Sequence, residues 1–121
     1  MDGDAGWSLP DALQELPADM AAALVGQLIE PFQTDAAVRL GRVRSAIAEA
    51  NPAALRAEVH SLKGSAAQVG AEVVASVCGE MESAIGRVPA SQLVESVSRL
   101  ELHCAAAVRA MSAYSADAGN S

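Results

Sequence analysis

The chain has 121 residues, the length of one ordinary domain, and at that size about two-thirds of the unfolded surface can be buried without metal or disulfides. Half of its residues are hydrophobic but only Trp7, Phe32 and Tyr114 are aromatic, and the abundance of Ala, Leu and Val favours helices over sheets. A net charge of −7 argues against a nucleic-acid partner, which needs clustered Lys and Arg, and no apolar run approaches the roughly 20 residues of a membrane span.

Residues 1–7 (MDGDAGW) and 115–121 (SADAGNS) are small, polar and Gly-containing, the composition of flexible termini, so the folded domain is expected over residues 8–114. The acidic N-terminus lacks the basic region of a signal peptide, and a cytoplasmic protein is expected. Ser8 is placed to cap a short first helix with Pro10 near its first turn, and Pro17 punctuates the chain before a long helical stretch from about Ala18 to Ala50. There Leu24, Leu28, Phe32, Val38, Leu40, Val43 and Ile47 recur mostly at three- and four-residue intervals, and Pro31 is expected to kink or split the helix. Asn51-Pro52 supplies a break and a new start.

In the next helix Leu55, Val59, Leu62, Ala66 and Val69 alternate steps of four and three, a stripe that faces a bundle core, and Gly70 ends or bends it. Val73, Val74, Val77, Cys78, Met81 and Ile85 define a further helix closed by Gly86 and the turn at Pro89. From Ser91 onwards, Leu93, Val97, Leu100, Cys104, Val108 and Met111 give the last helix its stripe. Four arms on short connections predict an all-α protein, an antiparallel four-helix bundle with a short extra N-terminal helix.

At about 100° per residue, the stripe of the Leu55 helix leaves Arg56, His60, Lys63 and Gly64 together on a flank turned away from the core, with Ala67 beyond. Imidazole is a nucleophile at neutral pH, and a phosphoryl group taken up by it adds negative charge that Lys63 can support. Gly64 and Ala67 leave room for another protein to approach the ring. The chain has no Gly-rich phosphate loop, no Walker lysine and no paired carboxylates beside the histidine, so it reads as a phosphoryl carrier and not as an autonomous kinase.

The run His60-Ser61-Leu62-Lys63-Gly64-Ser65-Ala66, followed by Gly70-Ala71, resembles the H-x-x-K-G-[SA]-[SA] and G-[AL] signature of histidine-containing phosphotransfer (HPt) domains. Phe32 on the first arm and Cys78-Gly79-Glu80-Met81-Glu82 fit patterns that flank the signature in that family, and the resemblance spans roughly residues 18–114. It implies that His60 is the phosphoacceptor, that Lys63 stabilises the phosphoryl group, that Gly64 gives steric access, and that Glu82 on the adjacent helix orients the ring. Gln68 stands where the family often has Asn or Gln, and either a polar contact or a capping role is open to it. The resemblance further implies receiver domains of a hybrid histidine kinase and of a response regulator as partners, with Mg2+ carried by the receiver and no cofactor on this chain. The Ala-rich first arm departs from the family pattern where receivers usually dock, so partner specificity does not carry over.

The remaining candidates have plainer readings. Cys78 and Cys104 are outside any C-x-x-C arrangement and sit among apolar residues, as buried thiols do, and two histidines so far apart make no zinc pair. His103 lacks the K-G neighbourhood and belongs to a solvated face; Arg39, Arg42 and Arg44 are expected on a solvated face that could also meet an acidic surface. The rival function is a non-catalytic adaptor of the same fold that binds a receiver or kinase without carrying phosphate. A kinase dimerisation hairpin fits less well, since an acidic residue usually follows its histidine and Ser61 follows here. One chain supplies all four arms, so a monomer is expected.

Overall fold

The computed structural model describes residues 6–119 and is built from four helices: α1 (Ala18–Ala48), α2 (Pro52–Val69), α3 (Glu72–Ala84) and α4 (Val94–Gly119). Each packs on the next and α4 returns onto α1, closing an antiparallel four-helix bundle. Among the described residues the only β features are two isolated bridges, and no helix is long and apolar enough to cross a membrane.

The boundaries follow local chemistry. Asn51 caps α2 by accepting the Ala54 amide at 3.1 Å, with Pro52 at the first helical position, where its missing N–H costs nothing. At the other end Gly70 adopts φ +85°, and its amide bonds back to the Ala66 and Ala67 carbonyls. Helix α1 runs unbroken through Pro31, so the chain is not split there. Gln27, whose carbonyl loses its helical donor, is exposed, so water can take the place of the absent N–H.

The five-residue stripe of α2 is buried throughout. On α1 the predicted stripe is only partly right: Phe32, Leu40 and Val43 are buried, but Leu24 and Val38 are exposed. Ala21, Ala22, Ala36 and Ala46 fill the core positions, because small side chains fit where helices approach closely. No polar or charged residue is buried among the described residues.

Both predicted flexible ends are corrected where they are described. Trp7 is fully buried: its indole N–H donates to the Val69 carbonyl at 2.7 Å and its ring packs at 5.5 Å on Tyr114. At about 1.5 Å per residue, α1 and α4 extend well beyond the shorter α2 and α3. The strap around Trp7 fills the step they leave, and burial of an indole outweighs the polar composition of its neighbours. Ser8 does not cap a helix. Its amide donates to the Gly70 carbonyl, and the short N-terminal element is a single 3-10 turn, Asp11–Leu13, preceded by Pro10. At the other end α4 continues to Gly119, and the Ser115 hydroxyl donates to the Ala22 carbonyl of α1 at 3.0 Å. Residues 1–5 and 120–121 of the predicted tails lie outside the described residues.

Candidate functional site

Helix α2 carries His60 on its outer flank, with the side chain 74% exposed. From α3, Glu82 reaches across so that its Oε2 lies 3.2 Å from His60 Nδ1. The other oxygen, Oε1, lies 3.4 Å from Lys63 Nζ, so one carboxylate serves both the ring and the ammonium. Its side chain is only 24% exposed, and burial by itself would push the carboxyl up. The hydrogen bond to His60 and the charge and contact of Lys63 outweigh that, and hold it below the ordinary carboxylate range. Glu82 is therefore ionised at neutral pH and can only accept. The proton of a neutral His60 ring belongs on Nδ1, which donates to Glu82 and leaves the Nε2 lone pair facing solvent.

The surroundings keep that nitrogen accessible. A side chain built at Gly64 would meet nothing within 4 Å, and Ala57 and Ala67, exposed on the same helix, add little bulk. Beneath Lys63 lies Gly79 of α3, where a Cβ would stand 3.8 Å from the ammonium, so the lysine rests on bare backbone with its head at the surface.

Other predicted residues are placed differently. Arg56, counted from the sequence as a basic neighbour of His60, donates to the Ile85 carbonyl at 3.1 Å and closes the C-terminus of α3. Gln68 is exposed near the end of α2, and the helix end is capped through the backbone of Gly70, not through this amide. Cys78 and Cys104 are buried: burial, helped by neighbouring Cys104 and Glu82, pushes the Cys78 thiol up to about 12, and burial with Glu101 pushes Cys104 up to about 11. Both stay protonated and unreactive at neutral pH. Among the described residues no three His, Cys, Asp or Glu side chains gather as metal ligands. His103 is half-buried on α4.

A second network was not foreseen. On the opposite flank of α2 the Ser65 hydroxyl donates to Asp35 Oδ2 at 3.0 Å, Arg39 pairs with the same oxygen at 3.0 Å, and Arg39 reaches Glu58 at 3.3 Å. Arg42 lies 3.9 Å from Glu58, and Arg44 pairs with Glu101 of α4. The basic run of α1 is thus engaged in ion pairs with its own bundle. The i,i+4 spacing of Asp35 and Arg39 was a usable signal; the pairing with Ser65 was not.

The family model for the Hpt domain matches residues 27–114, which takes in most of α1 and everything from there to Tyr114. The chain belongs to the Hpt domain family. No curated protein and no solved structure matches it. Hpt domains carry out histidine phosphotransfer in phosphorelays and interact with receiver domains. Within this Hpt domain the strap around Trp7 lies outside the matched residues.

Proposed function

We propose that this Hpt domain relays a phosphoryl group between aspartates of two receiver domains, one in a hybrid histidine kinase and one in a response regulator, through phosphohistidine at His60. The observation that carries it is the exposed imidazole whose Nδ1 is tied to an ionised carboxylate, which leaves Nε2 free beside a lysine and an open glycine. Nε2 attacks the phosphorus of an aspartyl phosphate; the N–P bond forms as the P–O bond breaks, and the electron pair leaves with the receiver's carboxylate. Transfer to the second aspartate is the reverse process.

Lys63 lies one turn from His60 and offsets charge on the transferred group, Gly64 clears the approach, and Glu82 orients the ring. The receivers supply the magnesium ion, and this chain works without a cofactor of its own. One chain closes the whole bundle and acts as a monomer, in the cytoplasm with its partners. Gln68 stands at the margin of the docking surface.

The test is transfer from radiolabelled phospho-receivers, with magnesium, to the wild type and to His60→Gln. Label on the wild type alone, stable to base and labile to acid, is the expected result. Receiver binding without any label, across a broad panel, would favour an adaptor that carries no phosphate.

A further inference from the structure

Glu82 holds the His60 ring and the Lys63 ammonium at once in the resting protein, and loading His60 changes what each of them needs. Before loading, Oε2 accepts from His60 Nδ1 at 3.2 Å, while Oε1 faces Lys63 at 3.4 Å, is sealed from solvent and completes no hydrogen bond. Lys63 is thus held by charge more than by a well-formed hydrogen bond, and a phosphoryl group at Nε2, one turn away, competes for it with greater negative charge. Glu82 has no such alternative, because its carboxylate comes from α3 beneath the ring and its remaining neighbour is Nδ1.

We propose that Glu82 keeps the phosphorylated ring of His60 protonated at Nδ1 and thereby sets the pH range over which this domain gives its phosphoryl group away. The inference rests on His60 as phosphoacceptor and concerns the loaded state, beyond orientation of the free ring.

The chemistry follows from the leaving group. Attack by neutral His60 through Nε2 makes a ring that bears phosphorus on one nitrogen and hydrogen on the other, with a positive charge. Onward transfer from that form breaks the N–P bond, the electron pair returns to Nε2, and neutral imidazole departs with its proton still on Nδ1. If the loaded ring first loses that proton to solvent, the departing group is an imidazole anion, which is far poorer, and transfer waits for reprotonation. A carboxylate at hydrogen-bond distance from Nδ1 opposes the loss.

Other charged groups around α2 are engaged elsewhere. On its own helix Arg56 is bound to the Ile85 carbonyl, and on the far flank Asp35, Arg39 and Arg42 of α1 are engaged with Ser65 and Glu58. On α3, Glu80 pairs with Arg99 of α4, Cys78 is buried as a thiol, and Arg87 follows in the turn. Among the described residues Glu82 is the charged side chain paired with the ring, and Lys63 shares its carboxylate.

The experiment loads uniformly 15N-labelled wild type and Glu82→Gln with phosphoramidate and follows the ring nitrogens of phospho-His60 by NMR as pH is raised. Only loaded molecules are read, so slower loading of the variant does not matter. The glutamine can still accept from Nδ1, so placement is kept while charge is removed. The midpoint in Glu82→Gln is expected to lie lower by about one pH unit, the small end of the range for a nearby opposite charge because the ring is exposed. Above both midpoints that shift means onward transfer to a receiver about tenfold slower in the variant, with equal rates at low pH, whereas simple misplacement would slow transfer equally at every pH. Coincident titrations in two loaded proteins would overturn this role of Glu82 and leave His60 as carrier intact. Failure of the wild type to load at His60 would overturn both.

Discussion

Helix α2 has a charged network on each flank, and the two differ in one respect. Toward α1, Asp35, Arg39, Glu58 and Ser65 satisfy one another and tie two helices together. Toward α3, His60 and Lys63 share the single carboxylate of Glu82, and the outer nitrogen of the ring is left to solvent. Similar side chains bridge similar helices. What separates the second network from a brace is that one member keeps an unused ring nitrogen and the surface around it is bare.

The comparison breaks most sharply at His60. His60→Gln should abolish phosphoryl uptake, measured with a labelled receiver, while urea unfolding changes by no more than about 0.5 kcal/mol because the ring is exposed. Gly64→Leu should pull function and stability apart. Nothing lies within 4 Å of a new Cβ, and a better helix former replaces glycine, so stability should rise by up to about 1 kcal/mol while the transfer rate falls tenfold or more. A loss of stability, or normal transfer, would show that the open surface is not there for a partner.

On the other flank Asp35→Ala removes the acceptor of both Ser65 and Arg39 and should cost about 1 kcal/mol in urea unfolding, with transfer kinetics unchanged. The smallest effect is that of pH on the Glu82 pairing. Its carboxyl is held below its ordinary 4.5, so the unfolded chain takes up the proton first as pH falls. The stabilisation it gives is complete above 4.5 and is lost as pH drops through the folded value. Wild type should therefore exceed Glu82→Gln in stability at pH 7, and the gap should narrow progressively as pH falls below 4.5.

The α2 stripe was legible because large apolar residues, a capping Asn-Pro and a terminal glycine all gave one answer. Along α1 the same method misplaced Leu24 and Val38, since periodicity weights large side chains while tightly approaching helices bury alanine. Nothing in MDGDAGW marks Trp7 as core: the carbonyl that receives its N–H is 62 residues away. At the site, His60, Lys63 and Gly64 share a helix, so their common flank could be read from spacing. Glu82 comes from another helix and was legible only through family resemblance, and spacing around His60 misassigned Arg56, whose partner is the end of α3.

Gly64 and Gly70 stand six residues apart in opposite surroundings. At Gly70 the backbone is left-handed, and a Cβ would come within 2.0 Å of the Ser8 carbonyl oxygen where the strap crosses, so even an asparagine, which tolerates that conformation, has no room. At Gly64 the space is empty within the molecule. Purifying selection for a folded chain alone would hold position 70 and let position 64 drift toward alanine or leucine. On the proposed function, the pressure that holds a glycine at 64 comes from outside the molecule, from the protein that must approach the ring.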